Sequence, residues 1–421
     1  LGLVNIDDLR PGMVLSHDLT TPDGRFLIPM GTELNQGHIK TCKAWGVTQA
    51  GVQGQDQSTL NAAKMASIAP EVLKQSKKLI KPYVRREVLD NKVMVEIVRI
   101  AVEQLALNIQ SGQYESSNQD TGVFVDCNNI APGTNPVELS ALRMVREQTE
   151  LISLPDIFYR ILEVLESPFS SAKHVADVVS KDSSLSAKLL RLVNSAFYGF
   201  PSKIDSISRA VAILGTKELT SLAMGIALIK VFEGIPQSVI NMEKFWRHSI
   251  SCGVYSSLIY TRMMGQSEER FFVAGLIHDI GRLIMLKSEP ELCMSAICHA
   301  RNKKIPLHRA EQEVIGFDHA LMGGTLCREW KMPVGLEKMV RYHHEPVKAR
   351  NISEASTVYL ANIISMVMNP GMVYEGFFPA LCEKSWESLR LDRSDLGPIV
   401  KQAEKSVSEI VEIFLGRQVR T

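Results

Sequence analysis

The sequence predicts a mainly α protein, with a helical domain preceded by a small strand-rich N-terminal module and a helical linker. Three observations carry this reading. Short apolar runs flanked by Pro and Gly are confined to residues 1–55. From about residue 56 the apolar residues recur with helical period. Between 150 and 235, turn signals at Pro155, Pro168, Asp182-Ser183-Ser184, Gly199 and Gly215 mark off five or six short helices. The 421 residues therefore divide into 1–55, 56–130 and 131–421, in keeping with roughly 100–200 residues per domain.

In the first segment, Met13-Val14-Leu15 and Phe26-Leu27-Ile28 read as short strands around the turn Thr21-Pro22-Asp23-Gly24. A helix from about Gln36 to Trp45 should end at Gly46, with a further strand over Val47 to Val52. The second segment is helical to about Gln110, with a break or kink at Pro82. Lys74, Lys77, Lys78, Lys81 and Arg85 share one face there, and Glu71, Glu87 and Asp90 dilute that charge, so the face reads as solvated. Residues 111–136, rich in Ser, Asn, Gln, Gly and Pro, form the main linker. Beyond it, Thr216 and Glu218 open a helix after Gly215. The stretch Ala210 to Gly225 has the outline of a helix-turn-helix. Its would-be recognition helix, Lys217 to Ile229, is mostly apolar and carries little with which to read bases, which disfavours DNA.

Composition removes other classes. With 45% hydrophobic and 22% charged residues and a net charge of +1, the chain is neither disordered nor a bulk attractor of nucleic acid or anionic lipid. Seven cysteines at 42, 127, 252, 293, 298, 327 and 382 include no CxxC pair, so reduced, mostly buried thiols are expected rather than a disulfide framework or a thiolate zinc site. The N-terminal residues do not have the form of a signal peptide. The most apolar stretch, Leu219 to Ile235, is shorter than the ~20 residues of a membrane span and is interrupted by Lys230 and Glu233. A cytoplasmic protein is the expectation.

The histidines are not evenly spread. Seven of the ten lie between 248 and 344: His248, His278, His299, His308, His319, His343 and His344. Neutral imidazole is the commonest metal ligand, and a carboxylate adds the negative charge a divalent cation needs. His299 and His308 stand among Lys303, Lys304 and Arg309 and read as surface groups or groups behind ligands. A lone helical histidine such as His248 can be a hydrogen-bonded core residue, and Arg282 can pair with Asp279 without any metal. The doublet His278-Asp279 is harder to place that way, because it ends the apolar run Phe271 to Ile277. A buried, ionised Asp costs several kcal/mol unless it is paired, hydrogen-bonded or bound to a cation.

At these residues the chain resembles the HD superfamily of metal-dependent phosphohydrolases, and more closely the HDOD domain, the HD-related output domain of bacterial signalling proteins. The likeness runs from about Leu151 to Pro346. It is carried by Leu154-Pro155, by Asp182 to Ser186 leading into Leu189 to Ala196, and by Ser206 to Val211 with Leu214-Gly215. Phe245 to Ser249, Gly275 to Arg282, Gly316 to Ala320, Trp330 to Pro333 and His343 to Pro346 complete the series. More loosely, Leu9 to Leu15, Asp23-Gly24-Arg25 and Pro29 to Thr32 resemble the module ahead of some HD-GYP cyclic di-GMP phosphodiesterases.

The resemblance implies a helical signal-transduction domain, often without demonstrated catalysis, and metal-ligand positions at His248, His278, Asp279, His319, His343 and His344. Three departures follow from it. No GYP follows His343-His344-Glu345; Arg282 stands where the enzymes carry a lysine beside the scissile phosphate; and Asn362 takes the position of the closing aspartate. Asn can ligate through its carbonyl but brings no charge, which weakens a dinuclear site more than a mononuclear one. The expectation is a signalling or scaffold protein holding a divalent metal (Fe, Mn or Zn) without robust hydrolysis, with a signalling protein or a small regulatory ligand such as a nucleotide as its partner. The alternative is a metal-dependent phosphohydrolase acting on a nucleotide second messenger or another phosphoester.

Overall fold

The computed structural model describes residues 2–21, 25–44, 47, 49–54, 68–112, 141–151, 156–166, 171–200, 202–232, 240–370 and 377–416. The chain is mainly helical, with a few short N-terminal strands. The turn at 22–24, Gly46, most of the polar linker, Leu154-Pro155 and Pro168 lie outside the described residues.

In the N-terminal segment, β1 (Gly2–Asn5) pairs antiparallel with β4 (Gln49–Val52), Gly2 opposite Val52 and Asn5 opposite Gln49. β2 (Leu19–Thr20) pairs antiparallel with β3 (Phe26–Ile28), with an irregular register. The helix α1 (Gln36–Ala44) lies between β3 and β4, as its sequence indicates. Val4, Leu15, Leu34, Cys42 and Val52 close a small core of their own. The expected strand at Met13–Leu15 is reduced to isolated bridges, Val14 with Glu33 and Leu15 with Val52. Leu15 is buried in the core, and this stretch lies between two segments, bonding to Gly31–Leu34 on one side (Leu15 N–H to the Thr32 carbonyl, 3.0 Å) and to Gly51–Gln53 on the other (Ser16 N–H to the Gly51 carbonyl, 2.9 Å), with a single bridge to each.

A second, far larger core holds the helical body. α2 (Pro70–Ile80) ends in a 3-10 turn at Lys81–Tyr83, where Pro82 removes a backbone donor. Lys74, Lys77, Lys78 and Lys81 are exposed, as the charge pattern suggests. Arg85 is not part of that free face: its guanidinium donates to the Lys304 carbonyl at 2.9 Å and lies 4.1 Å from the Phe377 ring centre. α3 (Lys92–Gln110) is capped by Asn91 and sends Met94, Ile97 and Ala101 into the large core. α4 (Ala141–Leu151) follows. Five short helices then match the expected count: α5 (Asp156–Glu166), α6 (Ala172–Ser180), α7 (Ser183–Val193), α8 (Ile207–Leu214) and α9 (Thr216–Val231). Gly215, at φ 96°, makes the corner between α8 and α9. Leu219 to Ile229 of α9 are all buried, so the helix-turn-helix outline has no free recognition face.

The body is organised around α10 (Met242–Met264). Asn241 caps its start, left-handed Gly265 ends it, and Ser249 to Tyr260 form an unbroken buried run. A helix buried all round must be surrounded by others. α11 (Glu269–Ile277), α17 (Ile352–Met368) and α19 (Leu396–Leu415) pack on it. Between them come α12 (Ile280–Ser288), α13 (Pro290–Lys303), α14 (Leu307–Val314), α15 (His319–Glu329) and α16 (Val334–Arg341), with α18 (Glu383–Leu389) following α17. Cys42, Cys252, Cys293, Cys327 and Cys382 are free thiols as expected, whereas Cys298 is disulfide-bonded, so the expectation of reduced thiols fails at that residue. Among the described residues, no helix is long and apolar enough to cross a membrane.

One buried group makes this core pH-sensitive. Glu269, at the start of α11, accepts a 2.6 Å bond from the Tyr198 hydroxyl, and its backbone N–H donates to the Glu218 carboxylate at 3.1 Å. Burial, helped by the Glu218 charge and opposed by the Tyr198 bond, pushes the Glu269 carboxyl up to about 7. Between its unfolded value of about 4.5 and 7 the folded chain holds a proton that the unfolded chain has lost. Stability contributed by this group is therefore full at the acid end and falls as pH rises through that window. Glu269→Gln should flatten this part of the profile, read as the unfolding midpoint in denaturant at pH 5 and pH 7.5; an unaltered slope would contradict the assignment.

Candidate metal centre

The six ligand positions anticipated from the sequence come from distant stretches of chain and meet in one place. His248 projects from the second turn of α10. His278 and Asp279 join α11 to α12, His319 is the first residue of α15, and His343-His344 follow the end of α16. Adjacent residues within a helix diverge by about 100°, so a doublet converges on one point only where the helix ends. Asp279, at φ −95° and ψ 8°, makes that departure between α11 and α12. The pairing of α12 with α15 depends on glycine. A Cβ on Gly281 would stand 2.1 Å from the His319 carbonyl oxygen and 2.5 Å from the Gly323 nitrogen. This close backbone approach lies beside the place where Asp279 meets His319.

Asp279 is the hub. Its Oδ1 lies 3.4 Å from His278 Nε2, 3.2 Å from His319 Nε2 and 3.6 Å from His343 Nε2. Its Oδ2 accepts from Arg282 Nη1 at 2.9 Å. Two ligand groups share this residue. Asp279, His319, His343 and His344 form the outer one, and His248, His278 and Asp279 the inner one, with ligand atoms in each within 4.8 Å of one another. His344 is partly exposed and the others are buried, so the outer group faces the way in.

Hydrogen bonding fixes how the rings point. His278 Nδ1 is 2.8 Å from the Gly275 carbonyl and His343 Nδ1 is 2.7 Å from the Val340 carbonyl. A carbonyl only accepts, so both Nδ1 atoms carry the proton and both Nε2 atoms present a lone pair. Those two Nε2 atoms, His248 Nδ1 and Asn362 Oδ1 are buried without a hydrogen-bond partner. Each such orphan costs about 1–3 kcal/mol. A cation in the outer group would give His343 Nε2 a partner and one in the inner group would do so for His278 Nε2, and imidazole with carboxylate is a donor set suited to Zn, Fe or Mn. The residues present fit a divalent metal.

The electrostatics agree. Burial holds His248 down to about 4 and His278 down to about 3, and pushes His344 well below the usual imidazole range, so these rings are neutral at pH 7. Burial alone would raise the Asp279 carboxyl, but His278, Arg282 and His319 outweigh it and keep it well below the usual range. His319 is the exception: burial opposes its charge, yet Glu311 and Asp279 carry it up to about 10. The cluster is thus arranged to hold positive charge beside Asp279.

Two neighbours stand behind this arrangement, of which the sequence reading missed Glu311 and left His308 open between the surface and a place behind a ligand. Glu311, on α14, takes the His319 backbone N–H at 3.0 Å and His319 Nδ1 at 2.5 Å on a single oxygen. Its signal was there to find: Leu307, Ala310 and Glu311 share one face of α14, so a carboxylate occupies an apolar-face position. His308, read as surface or supporting, stacks on His344 with ring centres 4.4 Å apart. His299 stays away from the cluster and pairs with Glu313 at 2.7 Å. Arg282 is committed to Asp279, and Asn362 lies buried at the inner group, where it contacts His248.

Residues 151–346 match the family described as the HDOD domain. A curated relative, an uncharacterized protein of Treponema pallidum (strain Nichols), is 24% identical over 251 residues, 59% of this chain and 48% of that one, so the chain spans about half the length of this relative. Among solved structures, an HDOD domain protein with unknown function from Geobacter sulfurreducens superposes with a TM-score of 0.51 at 24% identity, covering 65% of this chain and 97% of that chain. A Shewanella amazonensis SB2B protein provisionally named a phosphohydrolase gives a TM-score of 0.50 at 22% identity, over 66% of this chain and 99% of that chain. At such identities the likeness establishes the fold.

Because Gly281 has no room for a side chain, Gly281→Ala should separate α12 from α15. Overpacking of this kind costs about 1–3 kcal/mol or more. A lower denaturation midpoint together with lost metal uptake is expected; a variant with wild-type values for both would refute the role given to this contact.

Proposed function

Residues 151–346 make this chain a member of the HDOD family, helical relatives of the HD phosphohydrolases, and from that premise we propose that it is a signal-transduction protein whose HDOD domain is a metal-holding, non-catalytic binding module. The observation that carries the reading is the combination at Asp279: a ligand cluster kept whole, beside a set of catalytic features that is not. Six residues with buried, partnerless donor atoms among them retain the chemistry of a metal site. Against this, an arginine stands at position 282 and donates to Asp279, and Asn362 supplies no charge to the inner group.

A bound divalent ion supplies fixed positive charge at the centre of the helical body. The protein's own groups do the rest. Gly275 and Val340 orient His278 and His343, Arg282 balances one oxygen of Asp279, and the buried wall of α10 and α17 excludes water from the inner group. In this reading metal binding ties α10, α11, α12, α15 and α16 into one unit, and a signalling protein or small regulatory ligand, such as a nucleotide, reads that unit from outside. The residues carrying the HD-GYP-like pattern in segment 1–55 have a core separate from it and would serve as a second contact surface.

A second reading, metal-dependent hydrolysis of a nucleotide second messenger or another phosphoester, is favoured by one observation: two ligand groups share Asp279, which is how a pair of cations would be bridged.

Elemental analysis of the purified full chain should find Fe, Mn or Zn, and His278→Ala should lack it. Adding the metal to stripped protein at about 100 times its dissociation constant should stabilise the fold by about 2.7 kcal/mol, and should leave His278→Ala unmoved. A wild-type chain that takes up none of the three metals would end the metal reading. Turnover of phosphodiesters or nucleotides that disappears in His278→Ala would replace the non-catalytic reading with the enzymatic one.

A further inference from the structure

We propose that one face of α14 (Leu307–Val314) is the positioning element of the outer ligand group, with Glu311 setting the ring of His319 and His308 setting the ring of His344, neither being a ligand itself. This rests on the metal reading above and assigns residues beyond the ligand set.

α14 carries a misfit. In an eight-residue helix whose Leu307 and Ala310 are buried, Glu311 occupies the same face and is only 5% exposed. A buried carboxylate needs compensation. It finds it in His319, whose backbone N–H and ring Nδ1 both donate to Oε2. Two donors from one residue on one oxygen leave the ring a single placement. Nδ1 faces α14 and Nε2 faces inward, 3.2 Å from Asp279 Oδ1. The next residue strengthens the grip. Gln312 Nε2 donates at 2.5 Å to Asp318, and Asp318 caps α15 by accepting from Leu321 N at 2.8 Å. α14 therefore holds both residues that begin α15.

One turn earlier on α14, His308 lies nearly parallel to His344, 4.4 Å between centres and 12° between planes. His344 meets its other ring neighbours, His343 and His319, at 48° and 89°. The stacked partner is thus the one that fixes the plane in which His344 Nε2 reaches His319 Nε2, 2.7 Å away. Two residues three apart on one helix each govern one histidine of the outer group. A carboxylate behind a ligating imidazole holds its tautomer and raises its basicity, and loss of such a partner weakens metal affinity about 10–100-fold.

The test uses the metal-stripped full chain titrated with Co(II), read by its visible absorption bands. Glu311→Ala and His308→Ala should each weaken Co(II) binding about 10–100-fold and alter the bands of the outer site. The conservative partners should rescue it, Glu311→Gln because its carbonyl can accept the same two bonds, and His308→Phe because it keeps a stacked ring. Wild-type affinity and spectrum in both alanine variants would overturn the proposal, and so would equal loss in the alanine and conservative variants. If the wild-type chain takes up no Co(II), the metal reading fails, and the positioning claim is decided by imidazole nitrogen-15 spectra of the metal-free protein. There, the Nδ1-protonated signal of His319 should change in Glu311→Ala and persist in Glu311→Gln; no change in either would overturn it. Should Glu311→Ala not fold, the His308 pair carries the same decision.

Discussion

A charge buried at the meeting point of five helices organises this molecule. Asp279 is ionised and almost completely shielded from water, a placement that costs several kcal/mol unless every lone pair is answered. Arg282 answers one oxygen, and three imidazole nitrogens gather at 3.2–3.6 Å from the other. Much else in the helical body follows from that requirement. His248 reaches the hub from the second turn of α10, where that helix's unbroken buried run begins, and α12 touches α15 through paired glycines where Asp279 and His319 meet.

The rings around Asp279 could hold a cation. Carbonyl acceptors fix two Nδ1 atoms as donors and leave their Nε2 lone pairs free, while burial keeps His248, His278 and His344 neutral. Buried polar atoms without partners are destabilising on their own, and four of them belong to His248, His278, His343 and Asn362, where a cation could compensate them. The inner and outer groups differ in charge and access: Asn362 leaves the inner group with Asp279 as its carboxylate, whereas the outer group has Glu311 behind it and a partly exposed His344 at its edge.

Much of this was legible in the sequence because it leaves a periodic or compositional trace. Helical period marks the body, Pro82 and Gly215 mark breaks where they occur, and a His-Asp doublet in an apolar run stands out because charge there is expensive. What escaped was long-range. Glu311 belongs to a short, largely polar helix, and only its burial shows that it faces inward. His308, among cationic residues, could be a surface group or one behind a ligand, and only its stacking on His344 decides between the two. Leu15 was legible as core, but not that Val14 and Leu15 bridge to two different segments, Glu33 and Val52. Nothing local announces that Gly281 must lie against Gly323, since their contact exists only once two helices have met. The residues carrying Leu154-Pro155 and the turn at 22–24 fall outside the described residues.

The central claim is that Asp279 and its histidines hold a metal ion. Anomalous diffraction from crystals of the metal-loaded chain, collected on either side of the Fe, Mn and Zn absorption edges, tests it most directly. The account predicts an edge-specific peak at bonding distance from Asp279 Oδ1, with at least one of His278 Nε2 and His343 Nε2 among its ligands. A cluster without such a peak after loading, its imidazoles hydrogen-bonded to Asp279 and to ordered water instead, would contradict it.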